Sequence, residues 1–160
     1  MKQYLRQFST EKGFTLIELL VVFAIIGILT GVGMASYASF ANGQSVQSAS
    51  ADMVNTLSTA KSRALSHVKP PECAGRTLSG YEVVLTIPGP EYALQVVCGG
   101  NTYRIKAQDL PSGVTFGTGS ATRVFFNVSS GSSTPASLII TGYGKNKTIT
   151  VSTTGNIGTN

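Results

Sequence analysis

The residues able to do chemistry are few, and their spacing says more than their number. Asp52, Glu72, Glu82, Glu91 and Asp109 are scattered, with no pair set up for general acid–base work. The single histidine, His67, near a predicted helix end, gives no catalytic triad. Gly99-Gly100 and Gly117-Thr118-Gly119 do not follow a strand and open a helix, so they read as turns rather than phosphate loops. Cys73 and Cys98 form no C-x-x-C and, with one histidine, assemble no zinc set. The expectation is a protein that is not an enzyme and needs no cofactor or metal. In an exported domain the cysteine pair reads as one disulfide, the alternative being two buried thiols.

One carboxylate stands apart. Glu18 lies inside KGFTLIELLVV, an otherwise unbroken apolar run, and no Asp, Glu, Lys, Arg or His follows it until Asp52. Phe14 to Tyr37 would extend about 36 Å as a helix, enough to cross a bilayer with tilt. Lys2, Arg6 and Lys12 precede the run, opposed only by Glu11. That asymmetry places the N-terminus in the cytoplasm and the bulk of the chain outside.

Three readings compete for this segment. A secretory signal could be cut after Ser39-Phe40-Ala41, but the apolar stretch is longer than an ordinary signal core and contains Glu18. A plain single-pass anchor accounts for length and orientation and leaves Glu18, which costs a few kcal/mol in a membrane, without a reason. The third reading uses every residue: the stretch resembles the type IV prepilin signal. That resemblance implies cleavage by a prepilin peptidase between Gly13 and Phe14, N-methylation of Phe14, and retention of the apolar helix on the mature chain. It also implies that Glu18 meets the Phe14 amine of a neighbouring subunit and acts as a registry device, a role that buried polar groups can take.

The rest of the chain must position this segment. Val46, Ala49, Met53, Leu57, Ala60, Ala64 and Val68 recur at intervals of three and four, the core stripe of an amphipathic helix. Asn42-Gly43 is a place for that helix to kink or end, and Pro70-Pro71 stops it. Strands are predicted at 81–87, 92–98, 102–107, 123–128, 138–141 and 148–152, with Ser129–Pro135 as a loop suited to movement. The expected fold is α+β: a long N-terminal helix, transmembrane in its first half and amphipathic in its second, packed on a C-terminal antiparallel β-sheet domain. The expected divisions are a leader at 1–13, an apolar helix at 14–40, an amphipathic helix at 41–69 and a sheet domain at 70–160.

Within prepilins, the C-terminal part is similar to GspH/FimT-type minor pseudopilins. The matching pieces are MVNTLSTAKSRALS at 53–66, Phe126-Asn127 with its following glycine loop, and the ending from Ile149 to Ile157. The resemblance implies a bacterial inner-membrane subunit of a type IV pilus or type II secretion pseudopilus, with prepilin peptidase, other pilin subunits and the membrane as partners. Alternatives are a membrane-anchored extracytoplasmic binding module and a competence pilin that binds DNA. Lys145 and Lys147, expected in a turn around Asn146, are the candidates for a weak DNA contact. The calcium site of major pseudopilins is not expected, because Asp109 is the last carboxylate.

Overall fold

A computed structural model describes residues 13–160; the expected leader, apart from Gly13, lies outside the described residues. One long helix, α1 (Leu16–Leu65), is followed by a short 3-10 turn (Pro71–Cys73) and eight strands. The strands are β1 (Leu78–Leu85), β2 (Glu91–Cys98), β3 (Asn101–Asp109), β4 (Val114–Phe116), β5 (Arg123–Asn127), β6 (Ala136–Gly142), β7 (Lys145–Val151) and β8 (Ile157–Thr159). The fold is α+β, with a long N-terminal helix and antiparallel sheets behind it. The chain divides into two units, one ending at Ser39 and one running from Phe40 to Asn160.

In the first unit, the described residues are the three that precede α1 and the apolar half of the helix itself. Its large side chains, from Phe14 to Tyr37, are exposed. Helix α1 continues through Gly27, Gly31 and Gly33, where an added Cβ would meet nothing within 4 Å.

In the second unit the same helix changes character. Val46, Ala49, Met53, Leu57, Ala60 and Ala64 are buried, as the three-and-four spacing requires. Val68 leaves the stripe because α1 ends at Leu65, and it is exposed. The predicted break at Asn42-Gly43 does not end the helix. Gly43 instead gives room to a side chain: a Cβ there would sit 2.6 Å from Lys145 Nζ.

Two four-stranded antiparallel sheets complete this unit, in the orders β3-β2-β1-β5 and β4-β6-β7-β8. In the first, Tyr81, Val83 and Leu85 pair with Val96, Leu94 and Tyr92, which places all six on one face. They join the helix stripe in one core, together with Val124, Phe126, Leu138, Ile140, Ile149 and Val151. The strand predictions fall on six of the eight strands. The other two, β4 and β8, have three residues each, too short for an alternating pattern to register.

One further expectation is corrected. Lys145 and Lys147 do not lie in a turn: both belong to β7, and the turn is Tyr143-Gly144, with φ of 53° and 73°. Two residues with positive φ between paired Gly142 and Lys145 define a tight hairpin, which leaves the lysines in the ladder. The 129–135 loop is hydrogen-bonded to its surroundings. Asn127 N–H donates to Ser132 O, Gly131 N–H to Asn127 O, and Ser133 N–H to Thr153 O. Gly131, at φ 60°, lies against Leu65, where a Cβ would come within 2.9 Å of the leucine side chain.

Candidate functional site

The start of α1 is built from four residues. Gly13, Phe14 and Thr15 precede the first helical turn. Thr15 occupies the cap position, and its Oγ1 accepts the Glu18 N–H at 3.3 Å. Thr-x-x-Glu is the capping-box spacing, with Glu18 at the third helical position. A carboxylate there also faces the positive end of the helix dipole. Part of the reason for a charge inside the apolar run is therefore local: it stabilises the beginning of the helix. The Thr15-x-x-Glu18 spacing is present in the sequence itself.

Beyond Glu18 the helix carries no charged side chain through Phe40. Thr30 turns its hydroxyl back onto the Ile26 carbonyl at 2.7 Å, which satisfies that hydroxyl within the helix. Among the described residues, α1 is the one helix long and apolar enough to cross a membrane; its most apolar 18-residue window has a mean hydropathy of 2.5.

The remaining sequence-selected residues do other things. Cys73 and Cys98 are joined in a disulfide, with Cα atoms 5.7 Å apart, tying the turn after α1 to the end of β2. Both are fully buried. The closed segment of 25 residues is worth about 3.5 kcal/mol by chain entropy. His67 Nδ1 lies 3.0 Å from Leu65 O and Nε2 lies 2.9 Å from Ser129 Oγ, so the ring bridges the helix end to the 129–135 loop. Glu91 pairs with Arg104 at 3.3 Å, and the buried Glu82 lies 3.8 Å from Arg123. Among the described residues no three His, Cys, Asp or Glu side chains gather where a metal could be held.

Two buried tyrosines anchor the domain. Tyr81 OH donates to Val68 O at 2.6 Å and holds the chain just past α1 against β1. Burial pushes its phenol above the usual value, partly offset by the Arg63 charge. Burial likewise raises Tyr92, opposed by a hydrogen bond with Thr56. Tyr92 meets the Phe116 ring edge-on, centroids 6.0 Å apart.

The sequence did not reveal an open groove of about 430 Å³ between the outer face of α1 and the edge strand β3. Asp52, Thr56 and Arg63 line one wall, and Lys106 and Gln108 the other. A shift in register between Leu94 and Gln95 turns Lys106 toward the helix, and no sequence pattern announces such an irregularity.

Fold and site together define an α+β protein with an unusually long, apolar, capped N-terminal helix that carries one early carboxylate. Residues 8–34 match the family model described as the prokaryotic N-terminal methylation motif, which supports a type IV prepilin-like protein. The matched segment contains Gly13, Phe14 and Glu18. No solved structure matches the chain.

Proposed function

We propose that this protein is a structural subunit, a minor pilin or pseudopilin of the GspH/FimT type, of a type IV pilus or type II secretion pseudopilus. The observation that carries the reading is the match of residues 8–34 to the N-terminal methylation motif, with Glu18 at the head of the exposed apolar helix. On this reading residues 1–13 are a leader removed by prepilin peptidase between Gly13 and Phe14. The new Phe14 amine is methylated and stays cationic. The apolar half of α1 holds the subunit in the inner membrane, N-terminus inside, with the Phe40–Asn160 unit outside. On assembly the helix exchanges lipid for neighbouring helices, and Glu18 pairs with the Phe14 amine of another subunit. That pairing offsets the cost of burying either charge. The site does its work by recognition and register rather than by chemistry on a substrate.

The test is the mass and N-terminal sequence of the mature protein from membrane or sheared-filament fractions. The expected result is a chain beginning at N-methylated Phe14. A chain beginning at Asn42 would mean a secreted domain, and an intact Met1 a plain anchor; either overturns the reading. Glu18→Ala is expected to abolish incorporation into filaments without lowering the amount of protein in the membrane. For a membrane-anchored binding module, the same substitution would change neither.

A further inference from the structure

A sheet edge exposes unpaired backbone, and folds usually keep such edges short or covered. Three of the four edges here obey that rule. Strands β4 and β8 have three residues each, and β5 is joined through Asn127 and Phe126 to Ser132 and Ser133. Strand β3 is different: it has nine residues and ends the first sheet. Among the described residues, no backbone bond outside the ladder to β2 involves Asn101–Asp109. This open edge runs along the groove of about 430 Å³ whose other wall is α1. A strand laid along β3 would drop every second side chain into that groove.

The groove has two electrically different ends. Asp52 lies at one: its charge and that of Asp109 reach Tyr92, which pairs with Gln108. Arg63 lies at the other: its charge reaches Tyr81, which pairs with Val96 and, across it, stands in line with Tyr103. Lys106, paired with Leu94 between those two rows, adds a second positive charge. Neither Arg63 nor Lys106 has an ion-pair partner among the described residues, whereas Arg104 is matched to Glu91. From Tyr92 to Val96 is four residues, about 13 Å of strand. Strand β3 runs from the Arg63 end to the Asp52 end, so an antiparallel partner, the more stable kind, runs the other way. It would meet Asp52 with a basic side chain and, four residues on, Arg63 and Lys106 with an acidic one. None of this chain's 12 Lys and Arg residues is followed four positions later by Asp or Glu, so a second copy has no such segment to offer. An inward lysine on an open edge excludes strands that bring it nothing and admits one that brings a carboxylate.

We propose that β3 and the groove beside it form a docking edge for an extended segment of a different protein. The segment pairs antiparallel with β3, sets a basic side chain against Asp52, and sets an acidic one, four residues later, between Arg63 and Lys106. Main-chain bonds to β3 hold the segment, and the charge contacts fix its direction and exclude other strands. Every group involved belongs to the Phe40–Asn160 unit, so the inference stands apart from the role of the apolar half of α1.

The probe is a dye-labelled peptide with capped ends, Thr-Lys-Thr-Val-Thr-Glu-Thr, added to the full-length protein in a non-ionic detergent and followed by fluorescence anisotropy. The expected result is saturable binding about tenfold tighter than that of the charge-exchanged peptide Thr-Glu-Thr-Val-Thr-Lys-Thr, the combined effect of several exposed charge pairs. Methylating alternate backbone nitrogens of the first peptide should abolish its binding in one of the two possible registers, because those amides donate to β3. Lys106→Gln, at an exposed position, should narrow the preference between the two peptides while leaving thermal melting of the domain unchanged. No binding by about 1 mM, or equal binding of the two peptides, would overturn the proposal. So would indifference to methylation in both registers, which would mean that no strand is added, or a preference that Lys106→Gln leaves as it was.

Discussion

Helix α1 is one element with two halves that obey different rules. Up to Phe40 its leucines, isoleucines and valines point outward on every side, and from Val46 to Ala64 one apolar stripe is buried. Backbone geometry is the same in both. What differs is the partner that removes the side chains from water. The second half finds it within the chain, in the two sheets; the first half has none among the described residues and, on the proposed function, takes it from lipid or from other helices. A helix apolar all round is thus a statement about the surroundings of the molecule, and a striped helix a statement about its own core.

The contrast can be broken most forcefully with a single charge. Leu57→Asp places a carboxylate in the fully buried stripe and is expected to cost at least about 4 kcal/mol, leaving the domain unfolded in thermal melts. Leu29→Asp, on the exposed half, should leave the melting of the domain unchanged and abolish membrane insertion instead. Equal effects of the two on domain stability would contradict the division. Next in size is the staple that belongs only to the second unit. Replacing Cys73 and Cys98 by Ser should lower domain stability by about 3.5 kcal/mol in denaturant titrations without altering membrane localisation.

A smaller effect concerns Tyr81. Its phenol is raised by burial, so the neutral form is favoured on folding. The associated stability is fully present below the ordinary phenol value of 10.0 and is lost as pH rises through the folded-state value. Tyr81→Phe should remove part of that alkaline sensitivity, seen as a flatter stability profile above the ordinary phenol value. The lost bond to Val68 O should cost about 1 kcal/mol near neutrality. Smallest is a pair of glycines. Gly31→Ala enters open space and should raise the helicity of isolated span peptides by up to about 1 kcal/mol. Gly155→Ala should destabilise the domain, because φ is 72° and a Cβ would collide with the Gly131 carbonyl. A neutral result at Gly155 would mean that the 129–135 loop yields more readily than its hydrogen bonds indicate.

By itself the sequence determined the long helix, the α+β plan, the core stripe from Val46 to Ala64 and the Gly13-Phe14…Glu18 motif. Each of these depends on local spacing: three-and-four periodicity, a charge-free run, a short motif read within a few turns of helix. It also contained the Thr15–Glu18 cap. The tertiary structure alone decided the rest. It put Lys145 and Lys147 in a strand, because two positive-φ residues suffice to close the hairpin. It carried α1 through Gly43 and set a lysine from β7, far along the chain, against that glycine. It tied the serine-rich loop to His67 and Leu65, and turned Lys106 inward through a slip in register. Apart from the hairpin turn, these features share one cause: they arise from contacts between residues distant in the chain, and such contacts leave no periodic trace in the order of the amino acids.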